Sequence, residues 1–428
     1  MLEIRAIGGY NEVGRNMTLI RFNNESVIID IGLHLENYIK YTEDEDIGNI
    51  NVGTLIRAGA LPEVKIIDKK KVKAILTTHG HLDHIGGIPY LASKFKNIPI
   101  LATNYTIEVI RKILDDKHTN IENNLKKVEV NKKIKISKYI SVTFVSITHS
   151  IPDATFIVVH TPEGNIVYAC DFKLDNFPVI GKSPNYDLIK KINAKALIIE
   201  SLYVKEDTKS APEQSVKIMI KNIAKDLKES KDLVIFTTFS SQISRLKTIT
   251  EEMKKINRKV VFIGRSLEKY LDAAKSAEIF ETDDKIIKYK NEIKKTLREI
   301  NTNPKDWCII CTGHQGEPKS VLSRIANKEY DINLKNTTVI FSCKVIPTET
   351  TIKNRKELER KLIHEGVKFI KDVHASGHAS KIELKEFIDM IDPEIVLPAH
   401  SDNSKIFKRI FSDRNVVILN NGNSLELN

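Results

Sequence analysis

The hexad His79–His84, written H-G-H-L-D-H, limits the folds that are open to this chain. It follows, after two threonines, the largely apolar run V-K-A-I-L, which reads as a buried strand. Neutral imidazole suits zinc, and a nearby carboxylate can bind a metal or accept a proton. Side chains in the turn after a strand point in different directions, so His79 and His81 can serve one metal while Asp83 and His84 serve another. A polar loop that merely happens to be rich in histidine is the alternative, and the order H-x-H-x-D-H after a strand argues against it.

Three further potential ligands stand at the ends of predicted strands, where a sheet presents side chains to one rim. They are His149, Asp171 and His400, each at the end of an apolar run. A lone histidine in such a position is more often structural than catalytic. Three suitable ligands in the same kind of position, after a hexad of this composition, instead predict a metal site. Asp30 closes another predicted strand, and we expect it to orient the metal loop as an outer hydrogen-bond acceptor.

Length and composition limit the class of protein. With 428 residues, 41% of them hydrophobic, the chain is long enough for two domains with large cores. No apolar run approaches the ~20 residues of a membrane helix, and the opening residues lack the pattern of a signal peptide. We therefore expect no membrane association. Lysine and arginine outnumber aspartate and glutamate by 67 to 56, which favours polyanionic partners, although charge alone is a weak indication of nucleic acid.

The cysteines indicate a reducing environment. There are four of them, too few and too scattered for a disulfide framework. Cys308 and Cys311 form C-x-x-C, but they lie within an apolar run, which favours two buried core cysteines over a metal or redox pair. A cytoplasmic location is the expectation that follows.

The middle of the chain changes to repeated strand–helix units from about residue 231. Runs such as Leu233–Phe236 and Val260–Ile263 are each followed by a helical pattern, which predicts a parallel, doubly wound sheet. Small residues in the turns after these strands let backbone N–H groups approach an anion at a helix N-terminus, and Arg265 can add a charge-assisted hydrogen bond. The predicted phosphate-binding residues of these turns are Ser240, Ser241, Gly264, Arg265, Ser266, Gly313, His314 and Gln315.

The hexad resembles the signature of the metallo-β-lactamase superfamily, and the strand-end ligands extend the resemblance toward the other end of the chain. It implies an α/β fold, an αββα sandwich with two zinc ions per chain at one rim. The implied ligands are His79, His81 and His149 for the first zinc, Asp83, His84 and His400 for the second, and Asp171 as a bridge between them. Such a two-metal site suits in-line attack on phosphorus, but the ligands alone do not choose the substrate.

Other phrases resemble the β-CASP nucleases and, among them, the ribonuclease J family in its compact archaeal form. Glu200-Ser201 resembles motif A, Ser376-Gly377-His378 resembles motif B, and His400 resembles motif C. The phrases G-R-S, T-G-H-Q-G-E-P and G-G-Y-N-E-V-G-R-N-M are similar to that family as well. The resemblance implies a Rossmann-like β-CASP domain at residues 206–364, inserted into a metallo-β-lactamase domain formed by residues 1–205 and 365–428.

The resemblance implies a metal-dependent ribonuclease that hydrolyses RNA phosphodiesters in RNA decay and processing. Asp83 would orient the attacking water or accept its proton. His378 would contact the scissile phosphate or assist the leaving oxygen, with Glu200 as its orienting partner. His374 and Ser376 would bind phosphate nearby. The expected partners are single-stranded RNA, a second copy of the chain in a homodimer, and proteins of an RNA-decay complex.

The turns of the middle domain predict how the RNA is attacked. A 5′-monophosphate is a dianion that needs several N–H donors and one positive charge, and those turns supply both types of group. This favours 5′-to-3′ exonuclease action with a preference for a 5′-monophosphate. If the turns bind only internal phosphates, endonuclease cleavage would result instead.

Three other functions stay open at this point. An endoribonuclease resembling the cleavage and polyadenylation specificity factors would share every metal ligand. A non-catalytic RNA-binding paralogue would be expected to lack a ligand, whereas all seven are present here. A small-molecule hydrolase is disfavoured by the inserted domain.

Overall fold

The computed structural model describes residues 1–42, 51–346 and 348–427. Its internal contacts divide the chain into two compact units. Unit 1 comprises Met1–Asn176, Gly181–Ser210 and Gly377–Asn428, and unit 2 comprises Phe177–Ile180 and Ala211–Ser376. Most of unit 2 is therefore inserted, along the sequence, between two parts of unit 1.

The chain passes from unit 1 to unit 2 after residue 210 and returns after residue 376. Both limits come later than the predicted ones, after residues 205 and 364. A strand at Lys368–Ile370 accounts for the second difference, because it pairs in parallel with Thr338–Ile340 of unit 2. The domain limits themselves stay a prediction.

Unit 1 begins with strands that alternate with short helices. In chain order they are β1 (Leu2–Gly8), β2 (Met17–Phe22), β3 (Glu25–Ile29), α1 (Leu35–Thr42), α2 (Val52–Arg57), β4 (Val72–Leu76), α3 (Leu82–Ile85), α4 (Ile88–Leu91), β5 (Ile100–Ala102), α5 (Asn104–Asp116), β6 (Leu125–Lys127), β7 (Lys133–Lys135), β8 (Ser141–Ser146), β9 (Thr155–Thr161), β10 (Gly164–Ala169), α6 (Tyr186–Ile189) and β11 (Ala194–Glu200).

Unit 2 and the return to unit 1 follow the same alternation. Unit 2 contains α7 (Glu213–Leu227), β12 (Leu233–Thr237), α8 (Ile243–Lys255), β13 (Lys259–Ile263), α9 (Arg265–Ser276), β14 (Lys285–Ile287), α10 (Lys290–Thr302), β15 (Trp307–Cys311), α11 (Val321–Ala326), β16 (Thr337–Phe341), α12 (Glu349–His364) and β17 (Lys368–Ile370). The last part of unit 1 contains α13 (Lys381–Ile391), β18 (Ile395–Ala399), α14 (Ser404–Ile410) and β19 (Ser424–Leu427). Over the described ranges, no helix has the length and apolar character needed to cross a bilayer.

Two sheets pack against each other in unit 1. The first has the strand order β19-β1-β2-β3-β4-β5-β6, and the second has the order β18-β11-β10-β9-β8-β7. Apolar side chains from both sheets, among them Ile20, Leu76, Phe144 and Ile198, form one buried cluster. Because strand side chains alternate between faces, the other face of the second sheet packs against α13, where Phe387 is buried. With α5 beside β5 of the first sheet, this is the predicted αββα sandwich.

Unit 2 is built on one six-stranded sheet with the order β14-β13-β15-β12-β16-β17. Every neighbouring pair is parallel, as predicted for a doubly wound domain. Its inner strands are buried apolar runs, as in β15, where Cys308 and Cys311 are buried free cysteines. The carboxyl ends of parallel strands meet at one edge of a sheet, so the turns that follow the strands share that edge.

Arg245 is a fully buried arginine of α8 that ties together three parts of unit 2. Its Nε and Nη2 donate to the two carboxylate oxygens of Glu213 in α7, at 2.7 and 2.9 Å. Its Nη1 donates to the backbone carbonyls of Ser342, after β16, at 2.8 Å and of Val373 at 3.1 Å. An isolated buried charge is strongly unfavourable, and these hydrogen bonds and the ion pair offset the cost of burying the guanidinium.

Replacing Arg245 with alanine should destabilise unit 2, because the Glu213 carboxylate, only 15% exposed, would lose its bidentate partner. Breaking a buried pair costs about 3–5 kcal/mol, so the thermal unfolding midpoint should fall by about 10 °C in calorimetry. Lys247→Ala is the matched control, since it removes a partly exposed ion pair with Glu251 from the same helix. Equal shifts in the two variants would contradict this assignment.

Candidate metal centre

The hexad forms the turn that follows the buried strand β4. The helix α3 begins directly after His81, so the hexad crosses from the end of a strand into a short helix. His79 and His84 are buried, while His81 and Asp83 are half-buried. Because the backbone changes from strand to helix within six residues, these side chains point in different directions and belong to two neighbouring groups of possible metal ligands.

The first group consists of His79, His81, His149 and Asp171, each with one ligand atom within 4.8 Å of the others. Nδ1 of His81 lies 3.1 Å from Nε2 of His79 and 3.2 Å from Nε2 of His149. Oδ2 of Asp171 lies 3.5 Å from Nε2 of His79 and 3.7 Å from Nε2 of His149. Three imidazoles and one carboxylate around a point are a donor set that suits a divalent metal.

The second group consists of Asp83, His84, Asp171 and His400, within the same limit. Nε2 of His84 lies 3.3 Å from Oδ2 of Asp171 and 3.6 Å from Oδ2 of Asp83. Nε2 of His400 lies 3.2 Å from Oδ1 of Asp171 and 3.6 Å from Oδ2 of Asp83. Asp171 therefore belongs to both groups, and the structure brings all seven predicted ligands together.

The three ligands outside the hexad all follow strands of the second sheet of unit 1. His149 comes after β8, Asp171 after β10 and His400 directly after β18. Asp171 and His400 have φ angles of 66° and 50°, in the left-handed region, which is uncommon for residues other than glycine although aspartate and histidine enter it more often than most. The N–H of His400 donates to the carbonyl of Gly9 at 2.6 Å, which helps to hold this conformation.

The surroundings of Asp171, the residue common to both groups, show whether these residues fit a metal ion. Its Oδ1 is buried and accepts no hydrogen bond from any described residue. A buried carboxylate oxygen without a donor is unfavourable unless a cation lies nearby. The donor set of both groups therefore fits divalent metal ions.

The electrostatics of the first group also favour metal binding. Burial, reinforced by the neighbouring His79, lowers the pKa of His81 to about 3. Burial likewise holds the pKa of His149 well below its usual range. Both imidazoles are therefore neutral at physiological pH, which is the form that binds a metal. In the second group burial has the same effect on His84, but the carboxylates around it, first Asp171, raise its pKa well above the usual range.

Asp30 is completely buried behind the second group. Its Oδ2 lies 2.7 Å from Nδ1 of His84, and its Oδ1 accepts the N–H of Thr78 at 2.8 Å. A histidine that binds a metal through one nitrogen usually donates the other N–H to such an acceptor, which fixes the ring. The structure thus places Asp30 where an outer acceptor is predicted.

Two other outer contacts lie beyond the sequence predictions. The side-chain oxygen of Asn16 lies 3.0 Å from Nδ1 of His400, and its amide nitrogen donates to the carbonyl of Asp83 at 3.1 Å. The carbonyl of Gly377 lies 2.5 Å from Nδ1 of His149. Asn16 and Gly377 lie in sequence stretches that resemble the ribonuclease J family. That resemblance could have pointed to them, whereas an asparagine amide and a glycine carbonyl are not typical of a metal site.

Glu200 and His378 form a third group beside Asp171. Nδ1 of His378 lies 2.8 Å from Oε2 of Glu200, and Oε1 of Glu200 accepts the N–H of Phe172 at 2.7 Å. Burial lowers the pKa of His378, but the carboxylates of Glu200 and Asp171 outweigh it and raise that pKa to about 9. The His378 ring lies 5.0 Å from that of His149, so a protonated imidazole stands next to the first group of candidate ligands.

The predicted phosphate-binding turns lie in unit 2, after the adjacent strands β13, β15 and β12. Gly264, with a φ of 140°, directly precedes α9. Arg265 is exposed and Ser266 is half-buried at the start of this helix. The same edge carries Ser240, Ser241 and Gly313.

At the same edge, the side-chain amide of Gln315 is hydrogen-bonded within unit 2, and the ring of His314 is buried there. The Gln315 side chain donates to the carbonyl of Lys344 and accepts the N–H of Ile346, both at 2.9 Å. The buried His314 ring packs edge-on against Phe239, and burial lowers its pKa to about 3. His314 therefore offers no positive charge to a phosphate at neutral pH, and the amide of Gln315 is already satisfied.

The remaining predicted phosphate ligands, His374 and Ser376, are half-buried among the last residues of unit 2. They come just before Gly377, with which the chain returns to unit 1. His374 follows Val373, whose carbonyl accepts from Arg245 at 3.1 Å.

Comparison with family models finds matches along most of the chain. Residues 10–184 match the metallo-beta-lactamase superfamily, and residues 231–360 match the beta-CASP domain of ribonuclease J. Residues 366–414 match the RNA specificity domain of Zn-dependent metallo-hydrolases.

Similar curated proteins carry the name ribonuclease J. Those from Pyrococcus abyssi and Methanocaldococcus jannaschii are each 39% identical to this chain over 94% of its length, covering 90% and 91% of the relative. Ribonuclease J 1 of Streptococcus pyogenes is 32% identical over 99% of this chain and 74% of its own length. A solved structure of a protein of unknown function from Enterococcus faecalis V583 shares the fold, with a TM-score of 0.71 over the whole of both chains at 15% identity.

Asp30→Asn should weaken divalent metal binding about 10- to 100-fold, as is usual when the outer partner of a metal-binding histidine is altered. Titration against a chelating dye would measure the affinity. Asp68→Asn is the control, since Asp68 is an exposed residue that caps the short helix before β4, at the opposite end of that strand from the hexad. An unchanged metal affinity in Asp30→Asn would show that this contact does not support the site.

Proposed function

Because the chain belongs to the ribonuclease J family of metal-dependent ribonucleases, we propose that it is a zinc enzyme acting chiefly as a 5′-to-3′ exonuclease that prefers a 5′-monophosphate. The observation that carries the proposal is the pair of ligand groups that share Asp171. The proposed setting is RNA decay and processing in the cytoplasm, with some endonuclease activity. A homodimer and protein partners from RNA decay belong to the same proposal.

The donor set favours zinc as the metal, with two ions per chain. Five imidazoles and two carboxylates are the ligand types that zinc takes most often among biological divalent metals. A bound metal pair would supply activation of water and neutralisation of the phosphate charge. The Asp83 side chain is 26% exposed and that of Asp171 is 2% exposed, so we assign to Asp83 the acceptance of the water proton.

His378 is proposed to act in the chemical step. Its Nδ1 is held by Glu200, and we assign to its Nε2 the contact with the scissile phosphate or the leaving oxygen. Glu200 is itself held by the N–H of Phe172, so it can orient the ring and stabilise its protonated form. His374 and Ser376 are proposed to contact phosphate in the neighbouring stretch of chain.

Active protein should contain about two zinc ions per chain by mass spectrometry of the metals, as a two-metal hydrolase requires.

Asp83→Asn should abolish cleavage while RNA affinity changes little, because basic groups supply most of the binding. Affinity is measured by fluorescence anisotropy at fixed ionic strength. His364→Ala, which removes an exposed histidine, is the control. Less than one zinc in active protein, or joint loss of binding and cleavage, would contradict the proposal.

The preference for a 5′-monophosphate is argued from the turns of unit 2. Gly264 leaves the backbone open to a close approach at the start of α9, where unpaired N–H groups and the helix dipole favour an anion. Since His314 is neutral and Gln315 is engaged, the positive charge for a dianion falls to Arg265, which is exposed.

RNAs of one sequence that carry a 5′-label and either a monophosphate or a triphosphate should be degraded differently. The monophosphate RNA should release a labelled mononucleotide first, and the triphosphate RNA should decay more slowly. Arg265→Ala should reduce this preference about tenfold or more, from the loss of a charge-assisted hydrogen bond. Arg298→Ala, which removes another exposed cation of unit 2, is the control. Equal rates with internal fragments would indicate an endonuclease that is indifferent to the 5′ end.

A further inference from the structure

Glu383 is a carboxylate of α13 on which several hydrogen-bond donors converge. The residue is 2% exposed. Its Oε1 accepts the N–H of Leu174 at 3.0 Å, and its Oε2 accepts the N–H groups of Ser210 and Ser380, each at 3.0 Å. The Ser380 hydroxyl donates to the same Oε2 at 3.0 Å. One buried side chain therefore joins three stretches of unit 1.

Helix capping explains only part of this arrangement. Ser380 is the N-cap of α13, and it forms a capping box with Glu383. A capping box uses contacts between these two residues alone. The bonds from Leu174 and Ser210 come from positions 209 and 173 residues away, outside the helix. They give Glu383 a role beyond the start of α13.

The stretches that Glu383 joins carry groups of the proposed mechanism. Leu174 lies three residues after Asp171, the ligand common to both groups, and Ser380 lies two residues after His378. Ser210 adds a direct link, since its hydroxyl donates to the carbonyl of His378 at 2.7 Å. The loop of the shared ligand and the loop of the proposed proton donor are thus held to the same carboxylate.

We propose that Glu383 is a positioning residue that sets the place of His378 relative to Asp171 and therefore to the scissile phosphate. This inference rests on the proposed action of His378 in the chemical step. A misplacement of about 1 Å in such a group can lower a rate about 100-fold. A glutamine at position 383 would keep the size of the side chain, but it would replace one acceptor oxygen with a donor, so the converging N–H groups could not all be satisfied.

The first test compares two substitutions in α13. Glu383→Gln should lower kcat about 10- to 100-fold on short RNA, with zinc content and KM close to wild type. Glu386→Gln is the matched control, because it removes a partly exposed ion pair with Lys209 from the same helix and should keep wild-type kcat. Wild-type kcat in folded Glu383→Gln, or an equal loss in both variants, would overturn the inference.

Ser210→Ala tests the same link without altering the buried carboxylate. It removes the hydroxyl bond to the His378 carbonyl but keeps the N–H bond to Glu383, and Ser210 is half-buried. We expect a smaller loss of kcat, in the same direction, with unchanged KM. If Glu383→Gln does not fold, this variant decides the matter, and wild-type kcat would then reject the inference.

A double-mutant cycle separates positioning from a general structural effect. If Glu383 acts through His378, Glu383→Gln should cause no further loss of kcat in a His378→Ala background. Losses that multiply would show that it acts elsewhere and would overturn the inference. Wild-type kcat in His378→Ala alone would instead reject the proposed role of His378. A slow His378→Ala beside a fast, folded Glu383→Gln would reject only the positioning role.

Discussion

The buried carboxylate of Asp171 is the constraint on which unit 1 depends, because it is within reach of both histidine groups. Its Oδ2 lies 3.3 to 3.7 Å from three imidazoles and its Oδ1 lies 3.2 Å from a fourth. For this to happen, strands β8, β10 and β18 must end at the same rim of one sheet. The strand order β18-β11-β10-β9-β8 achieves this, and the left-handed backbone at Asp171 and His400 completes the turn toward the rim.

Around this carboxylate, four histidines are each held by a partner from elsewhere in the sequence. Asp30 holds His84, Asn16 holds His400, and the carbonyl of Gly377 holds His149. Glu200 does the same for His378. Such buried polar contacts are stable only when every member finds its partner. These outer contacts draw on residues from both ends of the chain, as the ligands themselves do.

The sequence predicts the candidate metal ligands better than it predicts the residues that hold them in place. The hexad and the strand-end ligands are readable because metal ligands are few in type and the strands before them are apolar. The direction of a side chain is not encoded by a motif. Gln315 looks available for phosphate although its amide is hydrogen-bonded within unit 2, and His314 looks available although its ring is buried against Phe239. The S-x-x-E pattern at Ser380 indicates a helix start, whereas the bonds from Leu174 and Ser210 depend on tertiary structure.

The split of unit 1 by unit 2 has a consequence for the order in which the protein is made. A ribosome that has completed unit 2 has not yet made β18, which pairs with β11, or β19, which pairs with β1. It has not made His400 either, so the second ligand group is incomplete at that point. A growing chain therefore lacks a finished centre during most of its translation. The candidate centre can form only once the stretch that carries β18 and His400 has been made.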